Sequence, residues 1–390
     1  MKKSERDEYD KTYGLYKFKR PLPSEIESAM GLVGENILFK KLIAADYERF
    51  YDPIKIPEEG DWLMTHKEFG QTYNEYINND CVPVDPNNNV IYILRLYNSS
   101  NSEDSIKDDF FQYIVSLLEA FFSGMKITPI DGNNYINTYE NSNENNNENN
   151  NDNNNENNNE NNNENNPENN NENNNENENG NNNEIKQSNE KLPINAESLL
   201  EKLKFEVPFD AYCLFAIIDT DLFTETIQYN GKRTIKATYG KRSIKDRVSV
   251  FSFARFDPFF NFNLKEKSLS KEQKYKIYLI LLKRICSAVT REICYMFGMK
   301  NCTFMSCCMN GTSVSEFDNK QIELCPICLR KLITNISAKG YDIKNYRVKN
   351  PMVVYDRFIK LRDALENFSG LYENEVNWFI ARIDFLKTLI

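Results

Sequence analysis

The chain is almost without histidine: His66 is the only one in 390 residues. No site of several imidazoles can be built from this polypeptide alone. It also lacks an excess of basic residues. Of 58 acidic residues, 11 fall between positions 141 and 184, where no basic residue occurs, so outside that tract 48 basic residues meet 47 acidic ones. A near-neutral remainder has no broad positive footprint for nucleic acid or anionic membrane, and neither partner is expected. No run of about 18 apolar residues appears, which excludes an ordinary spanning helix. The stretch "MKKSERDEYDKTYGLYKFKR" has no apolar leader core, so an intracellular location, cytoplasmic or nuclear, is expected.

What the chain does have is apolar residues at 40%, aromatics at 13% and nine cysteines. That is enough for a sizeable core. In a reducing compartment, clustered cysteines are expected as metal ligands sooner than as disulfides. Positions 138–191 are dominated by a repeating "NNNE". A helix there would stack like charges at i, i+4, and the tract has no apolar face to bury. It is expected to be a disordered insert in a surface loop. Before it, "VIYILRLYN", "IKDDFFQYIVSLLEAFFSG" and "MKITPI" have the patterns of strand, helix and strand. After it come a helix ("AESLLEKLKF"), a buried strand ("AYCLFAII") and a strand in "RVSVFSFARF". A long helix follows over 271–297, then two further helical patterns. Neither half alone has strands enough for a good sheet. The expectation is one mixed α/β (α+β) domain built from 1–137 and 192–390.

The long helix ends in "REICYMFGMKNC". A zinc-peptidase helix places two histidines at i and i+4 on one face, with a glutamate beside the first. A glycine then turns the chain so that a third ligand swings back. In that register the ligand positions are Arg291, Tyr295 and Asn301, the glutamate is Glu292 and the turn is Gly298. Two short-spaced cysteine pairs follow, Cys302/Cys307 and Cys325/Cys328, able to place four thiolates around one Zn²⁺. Cys308 could stand in for Cys307, and Cys325-Pro326-Ile327-Cys328 alone could be a redox pair.

This order of motifs resembles the archaemetzincin family. The cysteines, Met309, "GDWLMTHKEFGQTYNEY", "YGKRSIKDRVSVFSFARFDP" and "KRICSAVTREICYMFGM" all carry the likeness. The resemblance implies a metzincin-type fold with a mixed sheet, a long active-site helix, C-terminal helices and a family-specific N-terminal region over 1–85. It implies a structural zinc on Cys302, Cys307, Cys325 and Cys328, and Met309 beneath a catalytic metal. The spacing from Met309 to Cys325 is slightly shorter than the family's.

The catalytic metal is expected to be absent. Arginine has no lone pair to give, tyrosine binds only as phenolate, and a neutral asparagine amide is a poor zinc ligand. Glu292 would then be a general base without a metal-bound water. A site from Cys294, His66 and a carboxylate is conceivable, but Cys294 is expected as a small buried hydrophobe and His66 as an ordinary polar side chain. The function expected is that of a monomeric, inactive metallopeptidase homologue holding one structural zinc. It would bind a peptide or protein against an edge strand around 248–253. The alternatives are an active peptidase with a non-standard metal site, and a four-cysteine zinc module for nucleic acid.

Overall fold

The computed structural model describes residues 18–96, 105–132, 192–227, 231–257, 260, 269–368 and 370–390. The Asn/Glu tract, and the disorder expected of it, lie outside the described residues.

Eight strands and eight longer helices make up the described fold. The strands are β1 (Val90–Leu96), β2 (Lys126–Asp131), β3 (Ile194–Asn195), β4 (Ala211–Ile218), β5 (Leu222–Ile227), β6 (Arg233–Thr238), β7 (Gly240–Ser243) and β8 (Val248–Ser252). The helices are α1 (Pro23–Met30), α2 (Ile37–Ala44), α3 (Ser105–Phe121), α4 (Ala196–Leu203), α5 (Lys271–Met296), α6 (Pro326–Ala338), α7 (Met352–Glu366) and α8 (Glu373–Lys387). Among the described residues, no helix is long and apolar enough to cross a membrane.

The main sheet has the order β2-β1-β4-β8-β7. Strands β2, β1, β4 and β8 run parallel to their neighbours, and β7 closes the edge antiparallel to β8. Strands from both sides of the insert therefore interleave in one sheet. β4 is buried along its whole length. Its apolar run is continuous because both faces are covered. Leu214, Ala216 and Ile218 pack under α4, while Cys213, Phe215 and Ile217 join the larger core of α3, α5 and α6.

One expectation is corrected here. The segment around 248–253 is not an edge: β8 pairs with β4 on one side and β7 on the other. The edge is β7, four residues long, whose exposed Lys241 and Arg242 gave no apolar alternation to read. A second sheet, β3-β5-β6, was likewise hidden, because β5 and β6 are mostly solvent-facing and carry no buried stripe.

α5 positions the site. Its start is capped by Ser270 and Gln273 in a reciprocal box. Its end closes through Gly298 at φ +82°. Gly298 N–H donates to Tyr295 O at 2.9 Å and Met299 N–H to Cys294 O at 3.3 Å, the paired bonds of a glycine-terminated helix.

Candidate functional site

Gly298 does two things. Its left-handed backbone turns Asn301 back toward the helix, and its lack of a side chain lets a neighbouring segment close over it. A Cβ there would sit 1.8 Å from the Asp80 carbonyl. That segment locks the turn. Gln71 donates to Gly298 O at 3.1 Å, Tyr76 OH to Phe297 O at 3.0 Å, and Val82 N–H to Phe297 O at 3.2 Å.

The turn brings the three ligand positions of the zinc-peptidase register into one neighbourhood. Tyr295 OH donates to Asn301 Oδ1, and Asn301 Nδ2 donates to Glu68. Arg291 points elsewhere: its Nη1 donates to Thr312 Oγ1 at 2.6 Å and contacts Asn310 O at 3.4 Å. Burial pushes the Tyr295 phenol up to about 12, so it is protonated at neutral pH. Glu292 is held by Arg242 of β7 at 3.0 Å, with Arg291 at 3.7 Å on its other oxygen. The Arg242 guanidinium also lies 4.1 Å from the centre of the Tyr295 ring.

This donor set does not fit a divalent cation. It offers a guanidinium, a neutral phenol already donating, and an amide whose oxygen is already occupied. The carboxylate that would polarise a metal-bound water is instead the centre of an arginine pair. His66 does not enter the site. It is exposed, stacked on Trp62 with ring centres 3.5 Å apart and bonded to Thr65. Cys294 is fully buried and is not brought together with His66 into any metal-capable cluster among the described residues.

Three contributors to the site were not singled out from the sequence. Glu68 ties Trp62 Nε1, at 2.8 Å, to Asn301. Arg242 takes Glu292. Lys320 is buried and donates to Asn310 O at 2.6 Å and Thr312 Oγ1 at 3.3 Å, beside Arg291. Burial and then the Arg291 charge hold its ammonium well below the usual lysine range. Glu68 and Arg242 lie inside segments that carried the family resemblance. No periodicity marks them. Two cavities flank this cluster. One, of about 440 Å³, is lined by Glu68, Phe69, Arg242, Ile244, Tyr295 and Asn301. The other, of about 420 Å³, is lined by Asp61, Leu63, Gly311, Thr312 and Lys320.

The cysteines form a second centre. The Sγ atoms of Cys302, Cys307, Cys325 and Cys328 lie within 4.8 Å of one another, and all four residues are buried. Cys302 and Cys325 Sγ are 3.7 Å apart. A tetrahedral zinc with Zn–S of about 2.3 Å has sulfur–sulfur edges of about 3.8 Å. The thiols are unbridged, and Cys308, though adjacent, is outside the cluster. Backbone N–H groups of Met309 and Cys325 point at Cys307 Sγ, at 3.4 and 3.2 Å. Cys325 is the N-cap of α6 and Pro326 its first residue, so the positive end of a helix faces the cluster. These residues fit zinc: they would hold it with no open position, and it would supply cross-linking rather than catalysis.

No protein-family model matches the chain. Among curated proteins it is similar to mouse Archaemetzincin-2, 24% identical over 314 residues, covering 76% of this chain and 73% of the relative. Human Archaemetzincin-2 is 24% identical over 298 residues, covering 72% and 69%. Among solved structures, the archaemetzincin of Methanopyrus kandleri covers 64% of this chain and 96% of its own at 16% identity, with a TM-score of 0.34, too low to carry any argument. Sequence likeness to Archaemetzincin-2 across about three-quarters of the chain, joined to a four-thiol cluster placed directly after the glycine turn, supports an archaemetzincin kinship for this chain.

Proposed function

We propose that this chain is an archaemetzincin without peptidase activity, which holds one structural zinc and acts by binding. The observation that carries the reading is the cluster at the ligand positions. Arg291 is committed to Thr312, Tyr295 to Asn301, and Glu292 to Arg242. A fixed guanidinium charge within this cluster opposes entry of a second cation. The binding surface proposed is the 440 Å³ cleft beside Tyr295, bounded by the outer edge of β7. Exposed Phe69 and Ile244 give it apolar walls, and an extended peptide could add to the sheet there. The partner is a peptide or protein segment.

The test is metal stoichiometry together with peptidase assays on the intact chain. One zinc per chain and no chelator-sensitive cleavage is the expected result. Two metals per chain, with turnover abolished by both chelator and Glu292→Gln, would replace this reading with an active enzyme using a non-standard site.

A further inference from the structure

A third cavity, of about 340 Å³, shares no lining residue with the other two. It lies where the end of α1, the turn Tyr76–Asp80, α6 and the loop before α7 meet. Its charged lining residues are Arg330, Lys344, Arg347 and Glu27.

Arg330 forms the floor. It is fully buried, its guanidinium lies 3.5 Å from the centre of the Tyr73 ring, and it donates to Met30 O and, at 2.7 Å, to Glu35 Oε1. Arg347 Nε lies 3.8 Å from that same Glu35 oxygen. One buried carboxylate therefore serves two guanidinium groups. Lys344 adds an exposed ammonium that forms no ion pair among the described residues. Three cations thus face two carboxylates, Glu35 and the rim residue Glu27, and a positive surplus is left at a concave surface. Neutral groups stand in the same wall: the Ser28 hydroxyl, the Asn74 amide, and the Asn78 amide, whose nitrogen donates to Asn74 O at 2.9 Å. Gly31, at φ +61°, keeps the floor open, since a Cβ there would crowd Arg330 Nη1 at 3.1 Å and Asn74 Oδ1 at 3.2 Å.

We propose that this cavity binds a tetrahedral oxyanion, either phosphate itself or a phosphate monoester. Its donors come from separate elements and converge from several directions. A planar carboxylate satisfies one such direction well, whereas a tetrahedral anion presents an oxygen to each. Guanidinium and ammonium groups together suit phosphate in this way. The volume exceeds that of a bare anion and falls at the lower end of small-ligand pockets, leaving room for an organic substituent. The surplus charge sits on Lys344 and Arg347, both at the rim, so affinity is set there and the buried Arg330–Glu35 pair only supports it.

Thermal melting and calorimetry of the full chain test this, with sodium phosphate titrated against sodium chloride at matched ionic strength. Phosphate is expected to raise Tm progressively, as a ligand of the folded state alone must do, and to saturate by calorimetry in the millimolar range. The double variant Lys344→Ala/Arg347→Ala should weaken that binding at least tenfold while keeping its phosphate-free Tm within a few degrees, because both side chains are at the surface. Lys344→Gln alone should weaken it less. An arm with O-phosphoserine separates the sources: tighter binding than inorganic phosphate assigns the site to a monoester, equal binding to the free anion. An acetate arm that matches phosphate would overturn the tetrahedral assignment. A phosphate shift no larger than chloride's, or one unchanged in the double variant, would overturn the site altogether.

Discussion

Arg291 decides the chemistry of the cleft at the scale of a single residue. It stands where the zinc-peptidase register has an imidazole, and its guanidinium has no lone pair to offer a metal. It does not reach toward Tyr295 OH or Asn301 but anchors the loop at Thr312. If the helix face and glycine turn are otherwise intact, the triple change Arg291→His, Tyr295→His and Asn301→His should raise bound zinc by one equivalent, measured by mass spectrometry. A folded triple variant that gains no metal would mean that Glu68, Lys320 and their neighbours have filled the space. Tyr295 gives a pH test. Burial raises its phenol to about 12 from the ordinary value of 10.0, so the unfolded chain ionises first as pH rises. Its contribution to stability is present below pH 10 and is lost between about 10 and 12. An ultraviolet titration of native protein minus Tyr295→Phe should show one phenol with its midpoint near the upper end of that window. A midpoint near 10 would mean the side chain is solvated rather than packed against Arg242 and Asn301.

Among the elements, α5 was legible and α6 was not. The helical period, the cap at Ser270 and the stop at Gly298 are local signals, and the register of Arg291, Glu292 and Tyr295 follows from them. Gly298→Ala should therefore be severe. Left-handed backbone costs a non-glycine residue about 1 kcal/mol, and the added methyl meets the Asp80 carbonyl at 1.8 Å. A loss of at least about 3 kcal/mol in denaturant unfolding is expected. A loss under about 1 kcal/mol would show that the segment around Asp80 can retreat. α6 was hidden because its polar residues are buried with distant partners. Arg330 pairs with Glu35, Lys331 donates to Gln71, and Asn335 bonds Tyr76 OH, Val82 O and Val84 N–H. No local pattern distinguishes such a helix from a half-exposed loop, since what satisfies it lies about 250 to 300 residues away in sequence. The edge strand β7 was missed for the opposite reason: it is too short and too exposed to show alternation. The four cysteines were legible because metal-ligand spacing survives where hydrophobic periodicity does not.

At the scale of the whole molecule, the four-thiol centre and α6 form one mechanical unit. Cys325 and Cys328 sit on the first turn of α6, and the rest of that helix is the buried contact for α1, α2 and the segment 71–84. Two residues before Cys325, Glu323 is paired with the fully buried Arg357 at 2.8 Å, and Arg357 Nε donates to Phe121 O, which joins the centre to α7 and α3. Releasing the thiolates would therefore free the start of a helix that holds several layers, not a peripheral loop. Structural zinc in thiolate sites carries roughly 10–16 kcal/mol of apparent binding free energy at neutral pH, against about 5–15 kcal/mol for the stability of a whole domain. Cys325→Ser and Cys328→Ser should each drop zinc from one equivalent toward none and leave a chain that unfolds cooperatively well below the wild-type Tm. Cys294→Ser and Cys81→Ser lie outside the cluster and should keep the full equivalent. A strong chelator added to wild-type protein should reproduce the cysteine variants, with far-ultraviolet and near-ultraviolet circular dichroism lost together. If zinc leaves and only the signal of a local segment is lost, then α6 is held by its buried polar partners rather than by the metal. If Cys328→Ser keeps a tightly bound equivalent, the ligand set is a different one.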